Sequence, residues 1–500
     1  MGAKLDQLRH FVGELADLQA ALHLLDWDQQ TYMPAGGSPG RGQQLAALGK
    51  VLHQKATAPQ LGELLQALKA EQDRMGADSD ESAFVRVAVR DYDRAVRVPA
   101  DFVAEHAVVT AAAFQAWRRA KSESDFGVFR PHLERVVDLA RRYVTFFPQS
   151  DHPYDVLLED YEPGMKTAEV QSIFGWLRPR QVELVQAIAG RPQANDGFLR
   201  GRFSERKIWD FSAQVSRRLG YDWDRGRMDR APHPFATAFG RNDVRITNRY
   251  EADNPLASIF SAMHEAGHAM YEQGIASIHD RTSLAHGASL AVHESQSRLW
   301  ENLIGRSLAF WEYMYPRLKQ SFPSPLQGVG LKSFYRAINK VRPSLIRVNA
   351  DEATYNLHIM LRLELEIMLI GGALEAKDLP SVWNAKMQEF LGVTPRNDAE
   401  GVLQDVHWSS GLLGYFSTYA LGNLISAQVW ERLQADVPTL ERSIRAGDFD
   451  VVLEWLREKI HKHGRKYDPQ DLVRKVTGSV ISPEPYMRYL TEKYSQIYSL

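Results

Sequence analysis

The sequence of 500 residues contains no cysteine. Disulfide bonds and thiolate metal sites are therefore excluded, so any bound metal ion must be held by His, Asp or Glu. A surplus of charge of one sign is also absent, because 60 Lys and Arg residues stand against 62 Asp and Glu residues. A formal net charge of -2 provides no basic field, and we expect no nucleic-acid partner.

Long hydrophobic runs are scarce as well. The first stretch, MGAKLDQLRHFVGEL, is charged and amphipathic and has no hydrophobic signal core, which favours a cytoplasmic protein. Residues 409–430 carry no charged side chain and are long enough to span a bilayer. However, three glycines and many Ser, Thr, Asn and Gln residues lower the hydropathy of this stretch. We interpret it as a buried helix and expect no membrane partner.

Apolar residues recur at three-and-four spacing through most of the chain, which predicts a mainly α fold. Residues 1–30 show this pattern clearly. The glycine-rich run GGSPGRG at 36–42 predicts a plain loop after this helix. Further helices are predicted around 43–70, 79–97, 100–122, 126–147 and 167–190.

The pattern changes in the stretch HPFATAFGRNDVRITNRY. Gly240 and the Asn-Asp pair at 242–243 separate two β-prone runs, at 235–239 and 244–247. This arrangement predicts a small hairpin or edge sheet beside the helix that follows. An edge strand at 244–247 would offer its backbone groups to an extended peptide.

The segment SAMHEAGHAM contains the pattern H-E-x-x-H. Its helix is predicted to start at 254–255, where Asn and Pro suit the N-cap and the first helical position, and to end at Gly274. Residues four apart share one helix face, so His264 and His268 can bind one tetrahedral zinc ion. Glu265 lies at the edge of that face, where it can hold a zinc-bound water and take its proton.

A catalytic zinc site needs a third protein ligand and an open fourth position. The longer pattern H-E-x-x-H-x-x-G-x-x-H is excluded, because Tyr and Gly occupy the positions where it needs Gly and His. We predict Glu294, which lies on the next helix at the expected distance. The adjacent His293 diverges from it by about 100° around the helix and is not expected to share the metal. The acidic candidates considered are Glu272, Asp280, Glu294 and Glu301.

The sequence resembles one known family, that of carboxypeptidase Taq, also called thermostable carboxypeptidase 1. The shared signatures run in the family's order and span nearly the whole chain. They are DWDQQTYMP (26–34), HPF (233–235), DVRIT (243–247), HEAGH (264–268), HESQ (293–296), IRVNAD (346–351) and GVLQDVHW (401–408).

The resemblance implies a zinc-dependent metallocarboxypeptidase of broad specificity. We expect Co²⁺ to be able to substitute for Zn²⁺, because borderline ions share these ligands. The substrates of such an enzyme would be peptides with a free C-terminus. The resemblance also implies a nearly all-helical fold with a deep groove lined by the H-E-x-x-H helix, and usually a homodimer. The three ligands and the general base proposed above match the family's pattern. The family associates its IRxxAD and GxxQDxHW motifs with substrate binding, which points to Arg347 and His407.

An enzyme that acts at a C-terminus must recognise a free carboxylate, for which Arg offers a planar two-pronged donor. Arg347 and Arg245 are both candidates for this clamp, and we favour Arg347. Each could instead form a core ion pair, for example Arg347 with Asp351 or Arg245 with Asp243.

The developing negative charge on the scissile carbonyl also needs a hydrogen-bond donor. His407 and a tyrosine of the segment GYFSTY, either Tyr415 or Tyr419, could donate to it. Core packing is the alternative interpretation of each of these rings.

We expect residues 1–500 to form a single peptidase unit, with 1–200 as an N-terminal helical lid and 201–500 as the catalytic region. The first helix presents a row of leucines on one side, which would dock it as a lid: Leu15, Leu18, Leu22 and Leu25. Two alternative functions stay open: an oligopeptidase or endopeptidase of a related helical fold, and an inactive helical binding protein.

Overall fold

The structure, a computed structural model, describes residues 2–500 and confirms a mainly α fold with a small sheet. The α-helices in chain order are α1 (Gly2–Thr31), α2 (Ser38–Ala56), α3 (Pro59–Lys69), α4 (Asp80–Arg97), α5 (Ala100–Glu123), α6 (Phe126–Val144), α7 (Tyr154–Glu159), α8 (Thr167–Ala189), α9 (Glu205–Leu219), α10 (Ala257–Gly274), α11 (Leu290–Arg298), α12 (Leu308–Ser321), α13 (Leu331–Ile338), α14 (Tyr355–Gly371), α15 (Leu379–Leu391), α16 (Ser417–Asp436), α17 (Leu440–Ala446), α18 (Asp450–Lys459), α19 (Pro469–Thr477) and α20 (Glu484–Tyr498).

The small sheet consists of β1 (Met228–Arg230), β2 (Ala236–Ala238) and β3 (Val244–Asn248). β2 and β3 form the predicted antiparallel hairpin, and β1 pairs with β3 in parallel. β3 is therefore the central strand, with β1 on one side and β2 on the other. The expectation that 244–247 is an edge strand is wrong, and the outer strand of the hairpin is β2. The three-residue strand β1 is too short to show an alternating pattern.

Two boundaries differ from the sequence prediction. The H-E-x-x-H helix begins at Ala257 and not at 254–255. Residues 254–257 form a separate turn instead, in which the amide of Ala257 donates to the carbonyl oxygen of Asn254 at 3.0 Å. The predicted loop at 36–42 is mostly helical, since α2 already begins at Ser38. A proline in the first helical turn costs no backbone hydrogen bond, so Pro39 is tolerated there. The predicted helix 43–70 is also divided, into α2 and α3.

The chain divides into two compact units, and each is described by itself. Of the residues that the structure describes, the first unit contains 2–96, 195–337 and 429–478, and the second contains 97–194, 338–428 and 479–500. The assignment of 1–200 as a lid and 201–500 as a catalytic region stays a prediction.

In the first unit, α10 lies at the centre and packs against α9, α11 and β3. Its residues Ile259, Met263 and Met270 are fully buried, so the helix is fixed by apolar contacts around it. A second cluster joins the beginning of α1, at Leu5 and Leu8, to α3 and α4. The predicted docking leucines of 15–25 are only half-buried, whereas Trp27 near the end of α1 is buried.

In the second unit, α14 is buried along most of its length and packs against α6, α8 and α15. The uncharged stretch 409–430 enters α16, and residues 420–429 are all buried, as expected for a core helix. Among the described residues, every helix is too short or too polar to cross a bilayer.

Helices α10 and α11 approach each other closely at Gly267. A Cβ atom at this position would lie 2.7 Å from the Cα of Ser297 and 2.8 Å from the carbonyl oxygen of Gln296. Both obstacles are backbone atoms, which cannot move aside as a side chain would. A glycine is therefore required for the two helices to reach their observed distance.

We expect Gly267→Ala to destabilise the protein by about 1–3 kcal/mol through overpacking. The matched control is Gly175→Ala in the middle of α8, where a Cβ would meet nothing within 4 Å. That change should stabilise its helix by about 1 kcal/mol, as alanine ordinarily does. Urea unfolding of both variants measures the difference, and equal stabilisation by both would contradict the close approach.

Candidate active site

The H-E-x-x-H histidines and the predicted third ligand meet between α10 and α11. The Nε2 atoms of His264 and His268 lie 3.5 and 3.4 Å from Oε2 of Glu294. One ligand atom from each of the three residues falls within 4.8 Å of the others. Helix spacing places the two histidines one turn apart on the same face, and the contact at Gly267 brings Glu294 to them. The structure thus brings all three predicted ligands together.

The carboxylate of Glu294 is held by its own helix. Oε1 accepts a hydrogen bond from Arg298 Nε at 2.7 Å, and Oε2 accepts one from the Ser297 hydroxyl at 3.1 Å. Burial works to raise the pKa of Glu294, but Arg298 and the two histidines outweigh it and hold the pKa well below its usual range. The group is therefore an anion at neutral pH, as a metal ligand must be.

His264 is oriented by a direct carboxylate contact. Its Nδ1 lies 2.9 Å from Oε2 of Glu301, which leaves Nε2 pointing toward Glu294. Glu301 belongs to a π-helical turn, Leu299–Ile304, that continues α11. Burial works to raise the pKa of Glu301, but Arg298, His264 and Arg306 outweigh it and lower the pKa to about 2.

His268 has a different partner. Its Nδ1 lies 2.6 Å from Nδ1 of His293, and Nε2 of His293 lies 2.8 Å from Oε1 of Glu272. Burial lowers the pKa of His268 to about 4, so the ring is neutral and has a lone pair to share.

Two other candidates for the third ligand, Glu272 and Glu301, contact the outer nitrogens of histidines instead: Glu272 contacts Nε2 of His293, and Glu301 contacts Nδ1 of His264. Glu301 follows Glu294 by seven residues, which is two helical turns, and this spacing could have indicated that both face the histidines.

Glu265 lies beside His264 and is almost completely enclosed, with 6 % of its surface exposed. Burial, together with the charges of Glu294 and Glu301, raises the pKa of Glu265 to about 7 against the opposing effect of His264 and Arg298. A carboxyl group with a pKa near neutrality is suited to accept a proton and release it again.

In the second unit, the IRVNAD and GVLQDVHW segments are joined by a buried ion pair. Arg347 donates from Nε and Nη2 to Oδ1 of Asp405 at 3.0 and 2.8 Å, and from Nη1 to the Tyr355 hydroxyl at 2.9 Å. Arg362 donates from Nε to Oδ2 of the same aspartate at 2.6 Å. The partner of Arg347 is therefore Asp405 and not Asp351, which accepts backbone hydrogen bonds instead.

The predicted donors to the scissile carbonyl form one aromatic cluster near Arg347. His407 Nε2 lies 3.2 Å from the Tyr419 hydroxyl, and its ring centroid is 5.4 Å from that of Tyr415. The guanidinium carbon of Arg347 lies 5.1 Å from the Tyr419 ring centroid. The structure brings these four residues together, while their roles toward a substrate stay predictions.

Arg245 lies in the first unit, on β3. Its Nε and Nη2 donate to both oxygens of Asp243 at 2.8 Å, which is the ion pair considered as the alternative to a clamp. The guanidinium also faces the rings of Trp27 and Phe239, at 4.4 and 4.8 Å from their centroids.

Known proteins match this chain along nearly its whole length. The sequence model of the carboxypeptidase Taq (M32) metallopeptidases matches residues 7–494. The chain belongs to this family. Thermostable carboxypeptidase 1 of Thermus thermophilus is 40 % identical, with 99 % of each chain covered. Carboxypeptidase 1 of Bacillus subtilis is 37 % identical, with 96 % of each chain covered. The crystal structure of the M32 carboxypeptidase from Deinococcus radiodurans R1 is 39 % identical and covers 100 % of both chains with a TM-score of 0.96.

The enzyme is a metallocarboxypeptidase by family, a peptide hydrolase, and its family implies a metal cofactor. The arrangement of His264, His268 and Glu294 fits a metal ion on its own geometry. Both histidines use Nδ1 for a protein partner and direct Nε2 inward, and an anionic carboxylate completes the set. Three such ligands with an open fourth position are typical of catalytic zinc sites.

Proposed function

We propose that the enzyme is a zinc-dependent carboxypeptidase of broad specificity, which releases amino acids one at a time from the free C-terminus of peptides. The observation that carries the proposal is the group of His264, His268 and Glu294, with ligand atoms within 4.8 Å of one another and Glu265 beside them. The chain has no thiol that would compete for the metal. Co²⁺ should replace Zn²⁺, because borderline ions share these ligands.

When bound, a zinc ion supplies Lewis-acid chemistry that polarises a carbonyl oxygen and acidifies a water molecule. In the proposed reaction, Glu265 takes the proton of the attacking water and passes it to the leaving amine. Its raised pKa, about 7, suits both steps, because the group exchanges a proton readily near neutral pH. Its enclosure also shields the exchange from bulk water.

We assign recognition of the terminal carboxylate to Arg347. Two guanidinium groups, of Arg347 and Arg362, share the single carboxylate of Asp405, so these three side chains keep a net positive charge in a buried place. The nearby His358 adds no further charge, because burial and the two arginines hold its pKa well below its usual value. An incoming carboxylate would balance this excess.

Arg245 is the weaker candidate on the same reasoning. Its charge is already matched by Asp243 in a one-to-one pair with both oxygens engaged. We therefore propose that Arg245 contributes to substrate binding only through the surface that it forms with Trp27. His407, with Tyr415 or Tyr419, is proposed to donate a hydrogen bond to the scissile carbonyl oxygen as negative charge develops there.

The N-terminal region 1–200 is proposed to act as a lid that admits extended chains and excludes folded proteins. Within the first unit, α1 lies beside the outer strand β2, with Nδ1 of His23 3.3 Å from the Ala238 carbonyl oxygen. A chain can add to a sheet only along an outer strand, so β2 replaces β3 as the proposed place of backbone pairing. We further propose a cytoplasmic homodimer.

An oligopeptidase or endopeptidase is the alternative function. The family match favours the carboxypeptidase, and the charge excess at Arg347 gives a physical reason for a preference for chain ends. Substrates that differ only at the C-terminus separate the two functions.

The variant Glu265→Gln should bind zinc normally but lose catalysis by about 10²-fold or more, because it keeps the shape of the side chain and cannot accept a proton. Steady-state kcat and the zinc content of the same preparation are the two measurements. A variant with full zinc and near-normal kcat would assign the base to another residue.

N-blocked peptides with a free C-terminus should be shortened residue by residue, whereas their C-terminal amides should be poor substrates. Mass spectrometry should show a ladder of C-terminal truncations. Internal fragments, or equal cleavage of acid and amide, would favour the endopeptidase.

Arg347→Ala should reduce the difference in kcat/KM between free-acid and amide substrates. The variant loses the buried pair of the guanidinium with the substrate's terminal carboxylate, and such a loss costs about 2–5 kcal/mol. Arg347→Lys, which keeps the charge, serves in case the alanine variant does not fold. The matched control is Arg245→Ala, which should leave the ratio of acid to amide cleavage near the wild-type value. If Arg245→Ala changes the ratio of acid to amide cleavage more than Arg347→Ala does, then Arg245 and not Arg347 recognises the terminal carboxylate.

A further inference from the structure

We propose that His293 and Glu272 are positioning residues that fix the tautomer of His268, so that its Nε2 presents a lone pair to the metal. This inference rests on the proposed metal site. It concerns a three-residue hydrogen-bond chain, from Glu272 through His293 to His268, which we term the relay.

The direction of the protons in the relay follows from its donors and acceptors. A carboxylate only accepts, so Nε2 of His293 must donate its proton to Glu272 across 2.8 Å. An imidazole that carries one proton, on Nε2, has its lone pair on Nδ1. The contact of 2.6 Å between the Nδ1 atoms needs one proton between them, and with the single proton of His293 on Nε2 this proton belongs to His268. Nε2 of His268 is consequently unprotonated, which is the form that binds metal.

The packing around His293 holds the relay in place. Its ring lies 5.1 Å from the ring of Tyr271, and a Cβ atom on Gly287 would lie only 2.7 Å from its Cδ2. The amide of Gly287 also donates to Oε1 of Glu272 at 3.2 Å. A backbone amide can only donate a hydrogen bond. The amide of Gly287 therefore keeps Oε1 of Glu272, the oxygen that accepts from His293, in the role of an acceptor.

The two ligand histidines are therefore oriented by different means. His264 contacts a carboxylate directly, at Glu301, while His268 reaches a carboxylate only through a second imidazole. An imidazole can reverse its donor and acceptor nitrogens, which a carboxylate cannot do. The relay therefore depends on Glu272 to keep His293 in one form.

The first test is the dissociation constant for Zn²⁺, measured by competition with a chelator. His293→Leu and Glu272→Leu should weaken binding by about 10–100-fold, the range for partners of metal-ligating histidines. Glu272→Gln should stay close to the wild type, because its amide oxygen can still accept from His293 and from Gly287. The absorption spectrum of the Co²⁺ form should shift in the two leucine variants and not in the glutamine variant.

Thermal unfolding of the metal-free proteins provides the control for packing. If the leucine variants lose stability but keep the wild-type dissociation constant, His293 and Glu272 are packing residues and the relay is wrong. If the wild type itself binds no stoichiometric zinc, the proposed function fails as well.

A measurement on the unmodified protein covers the case in which the variants do not fold. Nitrogen-15 NMR of histidine-labelled, zinc-loaded enzyme should show His293 protonated at Nε2 and His268 protonated at Nδ1. A His293 ring that carries its proton on Nδ1 would overturn the proposal.

Discussion

The close approach of α10 and α11 at Gly267 is the contact on which the candidate site depends. Two histidines on one helix provide a pair of ligands, but the third comes from a different helix whose distance is set by backbone contact. Because a single Cβ atom would separate the helices, the absence of a side chain at Gly267 decides whether Glu294 reaches His264 and His268. A glycine that weakens helix α10 locally is needed for the assembly of the site.

Charge is the second constraint on the site. Carboxylates outnumber the fixed cations around α10 and α11: Glu265, Glu272 and Glu294 are buried, and Glu301 is mostly enclosed. Arg298 donates to both Glu294 and Glu301 and keeps both ionised, whereas at Glu265 burial outweighs the opposing charges of His264 and Arg298 and raises the pKa toward neutrality. The pKa values of Glu294 and Glu301 thus differ from that of the proposed base Glu265 because of their neighbours, although all three residues are glutamates.

The sequence allowed the helices, the hairpin and the three predicted ligands to be located, because helix spacing and β-prone runs are local signals. It did not reveal that β3 is central, since the short strand β1 pairs with it from outside the hairpin. Nor did it reveal the partners of the outer histidine nitrogens. The angle between His293 and Glu294 on α11 argues against a shared metal, but it does not indicate that His293 contacts His268 on α10. Contacts between helices depend on packing distances that no local pattern encodes.

The central claim is that His264, His268 and Glu294 together hold one zinc ion. The most direct test is anomalous diffraction at the zinc edge from crystals of the zinc-loaded enzyme. The account predicts one peak per chain, about 2.0–2.2 Å from Nε2 of both histidines and from an oxygen of Glu294. A zinc peak on other donors, or no peak among these three residues at saturating zinc, would contradict it.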